Sequence, residues 1–188
     1  MTNCSKHIGL AFSSNMMDAI QANRKFQTRR LKFTGKTGDF IWVKESYYVC
    51  RKCENYQLFQ FEKSLCDKCK APLDSKKSSR FMPKRLTRLW LEITSVREER
   101  LLDISDKDAL EEGFDESFEH SEECDNPDCQ LSGGIDDCPG IAISPRDNFL
   151  DIFYGLNGIR TKGNDPKKWP NPTVKVVCFR IARPDDET

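Results

Sequence analysis

Two Cys-x-x-Cys pairs, Cys50 with Cys53 and Cys66 with Cys69, separated by twelve residues, constrain this chain more than any other feature. Thiolates at i and i+3 of a tight turn can share one tetrahedral ion, and two such turns complete a closed four-sulfur site. Four protein ligands leave no open coordination position, so the site implies structure, not catalysis. The pattern predicts a Zn²⁺ ribbon inserted over residues 49–71, at the tip of a hairpin. Its surface carries Arg51, Lys52, Lys63, Lys68 and Lys70. Such a surface suits nucleic-acid contact; the plainer reading is a clip that only stabilises.

Nine cysteines in 188 residues is a high and odd count. Residues 1–13 lack the apolar core of a signal peptide, which argues against export and predicts a cytoplasmic protein. In that setting paired cysteines favour metal over disulfides. His120, Cys124, Cys129 and Cys138 form a second, less regular set of four ligands, with a zinc-stapled loop as the simplest reading. Cys4 and Cys178 are then expected as ordinary buried thiols, and His7 as a packed or surface residue.

The length fits one domain, residues 1–188, carrying insertions. Hydrophobic content of 37% supports one modest core, and no apolar run is long enough to span a membrane. Net charge is zero, but residues 1–100 carry 21 Lys and Arg against 10 Asp and Glu, and residues 101–188 carry 9 against 20. The basic half points to an anionic partner such as nucleic acid; the alternative is that the halves neutralise each other. Residues 103–137 hold fourteen acidic side chains and one lysine. Residues 114–140 are therefore expected to form an inserted acidic, cysteine-containing loop.

Periodicity predicts a strand over 8–12, then a helix over 15–22 capped by Ser13 or Ser14, with Met16, Met17 and Ile20 on its apolar side. Asn23 ends that helix, because asparagine tolerates the left-handed conformation. One strand is expected over 40–49 and another over 86–97. Residues 70–80 read as loop. Ser105 followed by Asp108 reads as a helix start, with Gly113 as its stop. A helix over 147–154, a loop from Gly155 to Pro172 and a strand over 174–181 complete the chain. The sum is α+β, a small β-barrel with two or three flanking helices and cysteine-rich zinc-binding insertions.

Between the first helix and the first turn lies the octet Asn23-Arg24-Lys25-Phe26-Gln27-Thr28-Arg29-Arg30. A turn of helix or a tight bend would bring Lys25 to Thr28, and a lysine beside a threonine can act as base and nucleophile. Arg24, Arg29 and Arg30 can hold a phosphate or a base edge. Charge runs are usually solvated, so the plain reading of the octet is a basic loop.

The octet does not stand alone. It is followed by Thr37-Gly38-Asp39-Phe40-Ile41-Trp42-Val43-Lys44-Glu45, Met82-Pro83, Leu91 to Arg97, Glu99-Arg100-Leu101, Asp103-Ile104-Ser105, Ala109-x-x-Glu112-Gly113 and Val176 to Arg180. In this order the segments resemble an ASCH-domain protein of the kind common in bacteriophage genomes, over about two-thirds of the chain. The resemblance implies a PUA-like β-barrel. The family octet typically reads Gly-x-Lys-x-x-Glu-x-Arg; here Asn23 replaces the glycine and Thr28 the glutamate. Threonine there is similar to the small ASCH amidohydrolases that deacetylate N4-acetylcytidine. By that likeness Lys25, Thr28 and Glu112 (Glu111 if the match slips by one) are the expected catalytic residues. Arg24, Arg29, Arg30, Trp42 and Glu45 are the expected substrate contacts.

Four functions follow as expectations: an amidohydrolase acting on N4-acylated cytidine, a non-catalytic RNA-binding module, a ribonuclease, or a phage accessory protein whose acidic insertion binds a host protein. The implied partners are RNA or a modified nucleoside, and no membrane.

Overall fold

Each α-helix among the described residues starts on a serine cap and stops on a left-handed residue. The computed structural model describes residues 5–54, 56–58, 65–73, 76–115, 117–119, 141–159 and 169–184. Helix α1 spans Ser14–Gln21, α2 Asp106–Glu111 and α3 Pro145–Asn157. The hydroxyls of Ser13, Ser105 and Ser144 accept from the amides of Met16, Asp108 and Asp147, filling donors that a helix start leaves over. In α2 the Asp108 carboxylate also reaches back to the Ser105 amide, completing a capping box. At the far ends Asn23, Gly113 and Gly158 take φ of 53°, 86° and 62°. At α1, Asn23 donates to Ile20 O and Arg24 to Ala19 O, the paired bonds of a Schellman motif. Gly113 with Phe114, and Gly158 with Ile159, repeat the pattern. Gly155 does not end α3, because one glycine costs only about 1 kcal/mol within a helix and the buried Phe149, Leu150, Phe153 and Tyr154 hold it.

The chain forms two compact units, 1–98 with 175–188, and 99–174. The class is α+β, with a five-stranded sheet in the order β1-β3-β7-β10-β2. Here β1 is His7–Ala11, β2 Gln27–Arg30, β3 Phe40–Lys44, β7 Trp90–Arg100 and β10 Thr173–Ile181. Strand β1 runs parallel to β3, while β3 with β7 and β10 with β2 are antiparallel. Ile41, Val43, Leu91, Ile93, Val177 and Phe179 bury one face of this sheet with Phe12 and with Met17 and Ile20 of α1. The expected closed barrel is not what the strand order shows, since β1 and β2 are its edges. The sheet nevertheless curls enough for Arg30 Nη2 of β2 to donate to Ala11 O of β1 at 3.2 Å.

Three stretches differ from expectation. The strand over 40–49 is two: β3 stops at Lys44, and β4, Tyr47–Val49, belongs to a separate three-stranded sheet. The break falls at Glu45, whose amide donates to Met82 Sδ at 3.0 Å and whose carboxylate is held by Arg88. The next strand begins only at Trp90, because Pro83 leads into a 3₁₀ turn over Lys84–Leu86. Within 70–80, Lys76–Lys77 is a short strand, β6, pairing with Tyr48 and Tyr47. Opposite it, β5, Tyr56–Leu58, pairs with β4.

The second unit packs α2 and α3 around Leu101, Ile104, Ala109, Phe149, Leu150, Phe153, Tyr154 and Val174. Arg146 ties the two helices by donating to Ile104 O and Leu102 O, each at 3.0 Å. Strands β8, Ser117–Glu119, and β9, Ile141–Ile143, pair antiparallel and flank the acidic segment.

Candidate functional site

The two cysteine knuckles are built alike. Glu54 N donates to Cys50 O at 2.7 Å, and Lys70 N donates to Cys66 O at 2.9 Å. Glu54 and Lys70, the residue after each knuckle, take φ of 53° and 58°. These left-handed residues turn the chain so that both thiols of a knuckle face inward. The sulfurs of Cys50, Cys53, Cys66 and Cys69 all lie within 4.8 Å of one another. Cys50 lies 3.4 Å from Cys69, and Cys53 lies 3.6 Å from Cys66. A tetrahedral ion with metal–sulfur bonds near 2.3 Å spaces its ligands at about 3.8 Å, so the cluster fits one.

The electrostatics agree. Hydrogen bonding from the Cys69 backbone pulls the buried Cys66 thiol down to about 6, against the opposing pull of burial. The Cys53 backbone lowers Cys50 in the same way. Thiolates, not thiols, bind metal. Gln57 braces the second knuckle on β5: its Nε2 donates to Asp67 Oδ2 at 2.6 Å, and Asp67 N donates to its Oε1 at 3.1 Å. The sequence reading missed this brace, since no spacing rule joins a strand glutamine to a loop aspartate. The second expected set, His120, Cys124, Cys129 and Cys138, lies outside the described residues, as does Cys4. Cys178 is half-buried, its sulfur 3.4 Å from Arg97 Nη1.

The octet is not a solvated loop. Lys25 is 1% exposed, Thr28 4% and Arg29 3%. The Schellman turn at Asn23 directs the chain back from α1, with Lys25 N donating to Ala19 O at 3.1 Å. From Gln27 the octet is strand β2, not the helical turn the spacing allows. Pairing on β10 sets the register, with Thr28 opposite Val177 and Arg29 opposite Val176. Alternation then puts Thr28 and Arg30 on one face of β2 and Gln27 and Arg29 on the other. Arg30 accordingly sits with its guanidinium carbon 5.5 Å from the Phe12 ring centroid. Arg24 is exposed.

The remaining expected residues lie on other elements. Trp42 is half-buried on β3 opposite Gly9, with Lys44 Nζ 5.2 Å from its ring. Both carboxylate oxygens of Glu45 are occupied by Arg88. Glu112 is 2% exposed at the C-cap of α2, in the second unit, and Glu111 is the last residue of that helix. A further basic stretch, Lys76 to Arg88, holds six cations and no acid; it was legible in the sequence, but composition alone did not separate it from loop.

No protein-family model matches this chain, and no curated protein does. Among solved structures it is similar to one titled as an ASCH domain from Lactobacillus crispatus JV V101. The two share 12% identity and a TM-score of 0.38, over 94% of this chain and 79% of that one. Likeness at that level does not establish a common fold. No helix of the described residues is long and apolar enough to cross a membrane.

Proposed function

We propose that this chain is a nucleoside- or RNA-directed protein of the ASCH type, in which Lys25 and Thr28 remove an acyl group from N4-acylated cytidine. The burial of Lys25 and Thr28, three residues apart in the octet, with Arg29 buried next to Thr28, carries the reading. Lysine is almost never fully buried without a specific reason, and buried ionisable groups concentrate at functional sites. In the reaction Lys25, as the neutral amine, takes the proton from Thr28 Oγ as that oxygen attacks the amide carbonyl. The carbon–nitrogen bond breaks, the acyl group passes to Thr28, and the cytosine amine leaves with the proton returned by Lys25. Water then cleaves the ester and regenerates the hydroxyl. The cysteine cluster holds Zn²⁺ as a structural ion, remote in role from this chemistry.

The test is deacetylation of N4-acetylcytidine by purified protein, with Thr28→Ala, Lys25→Ala and Glu112→Gln beside it. Turnover abolished by the first two substitutions, in variants that still unfold cooperatively, supports the reading. No turnover by the parent protein, or turnover indifferent to both, rejects it.

A further inference from the structure

Segment Lys76 to Arg88 packs against the ribbon sheet in a way that leaves an aromatic ring and several cations facing outward. The backbone is pinned: Tyr47 Oη donates to Phe81 O at 3.1 Å, Lys44 Nζ donates to Arg80 O, and Met82 is buried with its sulfur accepting from Glu45 N. On this anchored 3₁₀ turn the Phe81 side chain is 69% exposed. A single exposed ring is ordinary on a surface, but this one is held on an anchored backbone within a stretch of six cations and no acid. A few residues away Arg85 lies over the Tyr56 ring, 4.7 Å from its centroid, and Tyr56 stacks on Tyr47 at 6.1 Å and 28°. Tyr56 is itself exposed, as are Lys76, Lys77, Arg80 and Arg85.

From these we infer that Phe81 and Tyr56, with Lys77, Arg80 and Arg85, form a binding surface for single-stranded nucleic acid. Rings offer stacking faces to unpaired bases while guanidinium and ammonium groups take the phosphates. A duplex keeps its bases stacked inside and could use Phe81 only at the cost of unstacking a step, and a membrane would call for a larger apolar wedge than one phenyl ring. The surface shares no residue with Lys25 and Thr28. It needs no chemistry at the octet, and its loss would leave deacylation of a free nucleoside untouched.

Fluorescence anisotropy with labelled RNA and DNA single strands of about 12 nucleotides, in about 100 mM salt, tests it. Single strands should bind more tightly than the matching duplex. Phe81→Ala should weaken binding about 5-fold or more, the loss expected for one stacked base. Arg80→Ala with Arg85→Ala should weaken binding and flatten its salt dependence, while Thr28→Ala should bind as the parent does. Phe81, Arg80 and Arg85 are exposed, and unchanged urea unfolding confirms that every variant, the buried Thr28→Ala included, folds. The inference is overturned if single strands do not bind, if Phe81→Ala binds as the parent does, if duplex binds equally well, if Thr28→Ala abolishes binding, or if phosphatidylserine vesicles are bound in preference.

Discussion

Glu45 and Arg88 meet in a two-pronged contact, Nε to Oε1 at 2.9 Å and Nη2 to Oε2 at 2.6 Å, across 43 residues of sequence. The carboxylate is nearly out of solvent, whereas the guanidinium is 41% exposed. The pair raises the Arg88 pKa through hydrogen bonding first. It fixes the point where the chain leaves β3 for the ribbon, and it occupies the group expected to contact substrate. Arg88→Met would strand a buried carboxylate, which is more costly than losing the pair itself. Because Arg88 is partly solvated, the expected loss is about 1–3 kcal/mol in urea unfolding. The double variant Glu45→Gln with Arg88→Met should recover part of it; an unshifted midpoint in the single variant would show the pair to be dispensable.

Metal removal should act on the ribbon. Elemental analysis of the purified protein is expected to find zinc in at least one equivalent per chain, since one tetrahedral cluster is formed by Cys50, Cys53, Cys66 and Cys69. Cys66→Ser should lower metal content and the unfolding temperature together, as should exhaustive chelation. A coloured protein with iron in place of zinc would contradict the assignment, because four-thiolate sites also accept iron.

At Asn23 the left-handed conformation ends α1 and starts the approach of Lys25 to the interior. Asn23→Gly should preserve stability or raise it slightly, since glycine adopts this conformation without a Cβ penalty. Asn23→Val should cost about 1–2 kcal/mol. Equal stability of the two variants would mean that the turn is not required.

Gly9 leaves room for the Trp42 indole: a Cβ there would stand 2.6 Å from the ring. Gly9→Ala should push the indole aside, at a cost of about 1–3 kcal/mol and with a shift in tryptophan fluorescence. An unaltered emission spectrum would show that the ring has another place to lie.

Much of this architecture was readable from the residues. The serine at 13 or 14, the asparagine at 23, the pair Ser105 and Asp108, and Gly113 act within about four residues of chain, so their roles follow from local sequence. The knuckles, too, are local: each needs only a tight turn and two thiols. The limits were equally physical. Residues 40–49 have the composition of one strand, and a long-range contact to Arg88 and Met82 divides them.

What the sequence by itself determined, then, is where α-helices start and stop, that Cys50, Cys53, Cys66 and Cys69 belong together, and that the amino-terminal half is basic. Only the tertiary structure decided which cations leave water. Lys25 and Arg29 are inside while Lys77, Arg80 and Arg85 are outside. All five read alike in a linear chain. Strand β2 also sends Arg29 and Arg30 to opposite faces, a choice set by its register on β10. Burial of charge depends on partners far along the chain, because the cost of desolvation is met by groups that local spacing does not reveal.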